Sequence, residues 1–251
     1  MKIAIITGAS SGIGQEFVFQ LDQACNDLDE IWLIARTVET AEMPVTKAKL
    51  VRIPLDLTTE HAHEVIEKRL KENSPRIKIL VNSAGFGKMG NFEKIPLDVQ
   101  TDMMKCNTIA LMKMCHICIP YMVKGGYIIN MASAAAFLPQ MRFAVYAASK
   151  SFVLSFSRAL NYELKDRKIS VTAVCPGPVK TPFFDIAEET GYTLFIKKFF
   201  MADPEKVVLY ALRCARERRQ VSIYGITMKG LYLVSKLLPT KLILEIYNKM
   251  V

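Results

Sequence analysis

Residues Lys2 to Gly14 read KIAIITGASSGIG. The first six are apolar and β-branched enough to form a short strand. At Gly8 the pattern changes to small residues, with further glycines at Gly12 and Gly14. From Gln15 to Ala24 apolar residues recur at helical spacing. A strand that turns through glycines directly into a helix places free helix N–H groups and the positive end of the helix dipole beside the strand tip, where an anion can sit. The spacing is G-x-x-x-G-x-G rather than G-x-G-x-x-G, but the strand-turn-helix context is the one a dinucleotide fingerprint requires.

Outward from this turn, the same alternation continues. Strands are expected at Glu30–Ala35, Leu50–Ile53, Ile77–Val81, Gly126–Met131, Ile169–Val174 and Val221–Tyr224. Helices are expected at His61–Glu72, Asp98–Val123, Arg142–Asp166 and Pro204–Arg219. Alternating strands and helices build a parallel sheet covered on both faces. The expected fold is a doubly wound Rossmann α/β domain over 1–251, three layers deep (αβα), with a sheet of about seven strands. Thr37 to Lys49 contains Pro44 and is too short for a full crossover helix.

In such sheets ligands lie beyond the carboxyl ends of the strands. At the turn, Gly8, Gly12, Ile13 and Gly14 let the backbone approach a pyrophosphate, and Ser10 and Ser11 offer hydroxyl donors. The second strand ends Ile34-Ala35-Arg36 with no carboxylate at its tip. A carboxylate there would bind the 2′-hydroxyl of NAD, whereas the Arg36 guanidinium matches a 2′-phosphate. NADP(H) is therefore expected over NAD(H), although the position before Gly12 holds Ser11 and no second cation.

The fifth strand runs into Ser133, and Tyr146 and Lys150 follow in the stretch YAASK. One turn apart on a helix, Tyr146 and Lys150 share a face. A carbonyl reductase needs a proton donor next to the carbon that accepts hydride. An ordinary tyrosine has a pKa near 10, and a neighbouring ammonium lowers it. Lys150 is expected to do this and to hold a ribose, and Ser133 to hydrogen-bond the substrate oxygen. A second Tyr-x-x-x-Lys, YLVSK from Tyr232 to Lys236, has no such companions and reads as packing.

With these residues in place, the chain resembles the short-chain dehydrogenase/reductase family, in its compact branch of about 250 residues, over nearly its whole length. Thr7–Gly14 is similar to that family's T-G-x-x-x-G-x-G. Asn82-Ser83-Ala84-Gly85 is similar to its N-N-A-G with Ser83 in second place, and Asp56 of Leu55-Asp56-Leu57 to its adenine-contact residue. Asn107 matches the family's Asn that holds a water for proton relay. Pro176, Gly177, Val179 and Thr181 match the P-G-x-V-x-T stretch beside the nicotinamide. The resemblance implies transfer of the pro-S hydride between NADP(H) and a ketone, aldehyde or alcohol, with Asn107, Ser133, Tyr146 and Lys150 catalytic. An enoyl-type reductase and a cofactor-sensing protein without turnover are the alternatives.

The substrate is expected to be apolar, steroid-like or a 3-ketoacyl thioester. Leu138, Met141 and Phe143 lie between Ser133 and Tyr146. The segment 182–202 carries Phe183, Phe184, Tyr192, Phe195, Phe199 and Phe200, an aromatic lid candidate. Lys229 to Met250 reads as an amphipathic C-terminal segment broken by Pro239. It is expected to cover the cleft, bind a second subunit or touch a membrane surface. The family commonly pairs through the helices carrying Asn107 and Tyr146, so a homodimer or homotetramer is expected. The net charge of +9 is dispersed, with RERR at Arg216–Arg219 the densest run, which argues against nucleic acid. The 6 cysteines sit mostly in apolar runs, as buried thiols in a reducing cytoplasm do, and no metal site is expected. Cys115-His116-Ile117-Cys118 is formally C-x-x-C but lacks the strand-helix boundary of a redox motif. No leader or apolar run of about 18 residues is seen, so a soluble cytoplasmic protein is expected.

Overall fold

The computed structural model describes residues 1–192 and 201–250, leaving aside the side chains of 246–250. Its centre is a sheet of seven parallel strands: β1 (Lys2–Thr7), β2 (Glu30–Ala35), β3 (Lys49–Pro54), β4 (Arg76–Asn82), β5 (Met122–Met131), β6 (Ser170–Val174) and β7 (Val221–Ser222). The order is β3-β2-β1-β4-β5-β6-β7, so the winding reverses between β1 and β4. A crevice opens at that reversal, at the carboxyl ends of the strands.

Strand residues alternate between the two faces, as the pleat demands. Ile3, Ile5, Trp32 and Ile34 pack with Ile66, Leu70, Met114 and Val153, which come from α2 (Ala62–Asn73), α4 (Leu111–Cys118) and α5 (Ala144–Glu163). Ala4, Ile6, Ile31 and Leu33 pack on the opposite face with Phe17, Leu21, Val208 and Leu212, from α1 (Gly12–Ala24) and α7 (Pro204–Arg216), which follows the short α6 (Phe183–Ala187). The three-layer αβα expectation is met.

The long helix expected at Asp98–Val123 is divided. α3 (Leu97–Met104) runs through a π-helical turn at Lys105–Ala110 into α4, then a 3-10 turn at Ile119–Tyr121. Pro120 lacks the N–H that would continue the helix. The chain enters β5 at Met122, which pairs with Ile77. A register shift follows between Ile77 and Ile79, and Gly125 takes a positive φ of 86°. Only glycine adopts that conformation freely. The Cys115 and Cys118 thiols are buried and pushed above their ordinary pKa by that burial, which is packing rather than redox chemistry.

The connection between β2 and β3 has no helix, as Pro44 implied. Side chains hold it instead. Both carboxylate oxygens of buried Asp22 accept backbone bonds, from Lys47 N and Ala48 N at 2.9 Å each. The Arg52 guanidinium reaches the carbonyls of Val38, Glu39 and Ala41. Replacing Asp22 by Ala leaves those amides without acceptors, and Asp22→Ala is expected to lower unfolding free energy by about 3 kcal/mol. A urea midpoint equal to wild type would refute this.

Candidate active site

A cavity of about 820 Å³ lies across the carboxyl ends of the strands and collects residues from most of the sheet. Gly8, Ser10, Ser11, Gly12, Ile13 and Gly14 come from the turn after β1 and the start of α1. Arg36 follows β2, and Asp56 and Leu57 follow β3. Ser83, Ala84 and Gly85 follow β4, Ser133 follows β5, and Pro176, Gly177, Val179 and Thr181 follow β6. Leu138, Phe143, Tyr146, Lys150 and Phe183 complete the far end.

The turn is built by contacts that only glycine permits. A Cβ on Gly14 would lie 2.0 Å from the Gly8 carbonyl oxygen, and one on Gly8 would lie 2.7 Å from Ala84 N. Gly8 also has a φ of +66° and donates its N–H to Ile34 O at 2.8 Å. The Thr7 hydroxyl accepts from Ser83 N and Ala84 N, both at 3.1 Å, which locks the ends of β1 and β4 together. Ser11 precedes α1 in an extended conformation and makes no side-chain cap bond. The first-turn N–H groups of α1 thus face the cavity without a side-chain acceptor among the described residues, the condition for holding a phosphate.

At the β2–β3 end, exposed Arg36 stands near Asp56. Burial raises the Asp56 pKa, but the Thr58 N–H and hydroxyl, at 2.9 and 2.7 Å, and the Arg36 charge outweigh it and hold the carboxyl below its ordinary value. One carboxylate oxygen is occupied by Thr58, and Arg36 lines the cavity beside it.

At the other end Tyr146 is buried between rings. Phe143 stacks on it with centroids 4.2 Å apart, and Phe183 lies at 5.5 Å. Gly87 makes this closure possible, since a Cβ there would meet Phe143 and Phe183 at 2.7 and 2.8 Å. Burial pushes the Tyr146 pKa up to about 12, opposed by a hydrogen bond with Ser133. Lys150 donates to Met131 O at 2.9 Å and stands 5.6 Å from the centre of the Tyr146 ring. Burial pushes the Lys150 pKa down to about 8. The expected lowering of the Tyr146 pKa by Lys150 is therefore absent from this balance: desolvation dominates, and Ser133 supplies the opposing bond.

Two of the expected cofactor and catalytic residues do not stand on the cavity wall. Asn82, expected to touch the cofactor, turns its side chain into the core, where it donates to Asn130 Oδ1 at 2.9 Å and to Cys115 Sγ at 3.3 Å. Asn130 in turn donates to Ser157. Asn82 thus ties β4 to β5 and α4, a consequence of its place as the last residue of β4. Asn107 lies in the π-helical turn and is fully buried. Its Oδ1 accepts from Phe86 N, and its Nδ2 donates to Phe86 O and to Ser149 Oγ. With its side chain so committed, Asn107 joins the loop after β4 to α5: Ser149 donates to Tyr146 O, and a Cβ on Gly85 would touch both Asn107 Oδ1 and Lys150 Nζ.

Met141 is not part of the cavity wall, whereas Phe184 is. Tyr192 lies under the Arg142 guanidinium, 4.9 Å from it. Phe195, Phe199 and Phe200 lie outside the described residues. The wall also includes Phe86, Cys106, Met228, Leu231, Ile243 and Leu244, which were not singled out from sequence. Met228 and Leu231 come from α8 (Ile226–Leu237), and Ile243 and Leu244 from α9 (Thr240–Met250). The signal for the α8 pair was the i, i+3 spacing of an inward face. Tyr232 packs edge-on against Phe137 at 4.9 Å, which accounts for the second Tyr-x-x-x-Lys as packing.

Known proteins carry the same architecture. The family model described as short chain dehydrogenase matches residues 2–190. A probable short-chain type dehydrogenase/reductase of Helicobacter pylori, VdlC, is 28% identical, across 98% of this chain and 92% of its own length. The 17-beta-hydroxysteroid dehydrogenase type 3 of Rattus norvegicus is 29% identical, across 84% of this chain and 71% of its own. Among solved structures, a short-chain dehydrogenase from Sphingobium yanoikuyae in complex with NADPH superposes with a TM-score of 0.78 at 26% identity, covering 94% of this chain and 93% of that one. By its matched sequence, its sheet order and the glycine turn at the sheet's reversal point, the chain belongs to the short-chain dehydrogenase family of oxidoreductases.

Proposed function

We propose that the protein interconverts a ketone or aldehyde and the corresponding alcohol, with NADP(H) as the redox partner and an apolar molecule as substrate. The observation that carries this reading is one cavity with a phosphate cradle and Arg36 at one end and Ser133, Tyr146 and Lys150 at the other. The residues present fit a dinucleotide. Gly8, Gly12 and Gly14 leave backbone room for a pyrophosphate, the Asp56–Leu57 corner faces an adenosine, and Gly85 keeps open the space beside Lys150 Nζ. When bound, the reduced nicotinamide supplies the hydride that reduces the carbonyl carbon and is itself oxidised.

The chain's own residues do the rest. Ser133 and Tyr146 donate hydrogen bonds to the carbonyl oxygen, and the Tyr146 proton passes to it as negative charge develops. Lys150 holds a ribose and brings positive charge toward Tyr146 during turnover. Asn107 fixes the loop after β4 against α5 so that these groups stay aligned. The apolar rings of Phe143 and Phe183, with Leu138, Met228 and Leu231, favour a hydrocarbon-rich substrate, steroid-like or a 3-ketoacyl compound. Of the expected lid at 182–202, the helix Phe183–Ala187 brings Phe183 and Phe184 to the cavity wall and is assigned as its opening part, while 193–200 lie outside the described residues. Exposed Met104, Ile109, Met112 and Phe152 offer an apolar face for pairing subunits.

Oxidation of NADPH and of NADH against a panel of apolar ketones tests the reading. Turnover with NADPH is expected, and binding without turnover on any ketone would favour a sensor. Arg36→Ala is expected to weaken kcat/KM for NADPH by about 10- to 100-fold, the worth of a charged phosphate contact. The same substitution should leave NADH nearly unaffected. Equal losses with both coenzymes would remove Arg36 from the 2′-phosphate.

A further inference from the structure

We propose that the outer face of α8, with the chain that follows it into α9, docks on an anionic phospholipid surface. α8 is apolar on two sides. Its inner side, Met228, Leu231 and Tyr232, packs on the protein, and Met228 and Leu231 line the cavity. Its outer side carries Ile226, Leu233 and Leu237, spaced 7 and 4 residues apart and so aligned along one face. They are 89%, 59% and 71% exposed. Val234, Leu238 and Leu242 extend the exposed patch. Scattered exposed apolar side chains are ordinary, but a contiguous stripe on a helix already packed by its other face marks an interaction surface.

Charge chooses the occupant. Between Ile226 and Glu245 the charged residues are Lys229, Lys236, Lys241 and the single acid Glu245. Lys229 and Lys236 lie two turns apart on one flank of the stripe, over the rings of Tyr210 and Tyr232. A second copy pairing through this face would bring up more lysines and, from Ile226 to Leu244, no acid to neutralise them. An anionic bilayer neutralises them while the leucines enter the headgroup boundary. Among the described residues no helix is long and apolar enough to cross a membrane, so the contact is peripheral. Ile243 and Leu244 of α9 also line the cavity. The docked face therefore adjoins the cavity an apolar substrate would use. That last use rests on the substrate reading above; the docking itself does not.

The test is sedimentation of the full chain with phosphatidylglycerol–phosphatidylcholine vesicles and with pure phosphatidylcholine vesicles. Binding to the anionic vesicles is expected, falling steeply with added salt. Leu233→Ser with Leu237→Ser, and separately Lys229→Glu with Lys236→Glu, should each lower the partition coefficient by about tenfold or more. Neither pair touches the cavity wall, so NADPH oxidation with a water-soluble ketone should be retained. No binding by the wild type, or equal binding to both vesicles that the lysine reversals leave intact, overturns the proposal. So does a mass by light scattering that falls to the protomer in Leu233→Ser with Leu237→Ser while vesicle binding is unchanged, which would give the face to a second copy. Vesicle binding with no turnover of any apolar ketone would support the docking and sink the substrate reading instead.

Discussion

Tyr146→Phe is expected to lose about 1,000-fold in kcat in both directions while the fold and NADPH affinity persist. The ring stays in place because Phe143 at 4.2 Å and Phe183 at 5.5 Å hold it by packing, and phenylalanine keeps that packing. What is lost is the hydroxyl that Ser133 bonds, the proton donor of the proposed mechanism. The pH dependence has a definite sign. Reduction needs Tyr146 protonated. With its pKa pushed up to about 12 by burial, it is protonated throughout the neutral range, so reduction shows no fall from Tyr146 there. Alcohol oxidation needs the phenolate, whose fraction grows tenfold per pH unit below that pKa, so oxidation rises with pH. Stopped-flow measurement of NADPH oxidation and NADP reduction checks both. A Tyr146→Phe variant with wild-type turnover, or one that keeps the alkaline rise, would remove Tyr146 from the proton transfer.

Position along the chain revealed more than side-chain direction. KIAIITGASSGIG predicts a strand, a tight turn and a helix, and β1 and α1 stand there because alternation and glycine spacing are local properties. The remaining strands fall within a few residues of their expected positions for the same reason. The start of β5 was misread because Met122 and Val123 continue an apolar run, and only pairing with Ile77 makes Met122 a strand residue. The π-helical turn at Lys105–Ala110 leaves no mark in residue type. It depends on how Asn107 reaches Phe86 and Ser149, contacts 21 and 42 residues away. Likewise, Asn82 adjoins cavity residues in sequence, yet its side chain belongs to the buried bonds with Asn130 and Cys115. The pKa balance at Tyr146 was hidden too, since Lys150 is one turn away while the burial comes from Phe143 and Phe183. A motif names the residues that gather at a strand end; packing decides which of them face the cavity.

Gly14→Ala is expected to cost about 100-fold in kcat/KM with NADPH and with NADH alike. An added Cβ would sit 2.0 Å from Gly8 O, where ordinary contact needs 3.4 Å or more. Something must move by more than an ångström. Gly8 cannot yield cheaply, because its N–H is bonded to Ile34 O and its own Cα faces Ala84 N, which Thr7 holds. α1 must therefore shift outward, carrying with it the first-turn residues that line the cavity. A displacement of that size at a positioned contact is what degrades binding and turnover together. Overpacking also lowers stability, by about 3 kcal/mol at the upper end of ordinary cases, so the variant should remain folded at low temperature for assay. The contrast with Arg36→Ala is the informative part. On the proposed reading Arg36 meets the 2′-phosphate and should separate the two coenzymes, whereas Gly14 shapes the cradle for the pyrophosphate they share and should not. Fluorescence titration of NADPH and NADH on both variants measures this. If Gly14→Ala bound both coenzymes as tightly as wild type, the glycine turn would be a strand-helix joint and not a phosphate cradle.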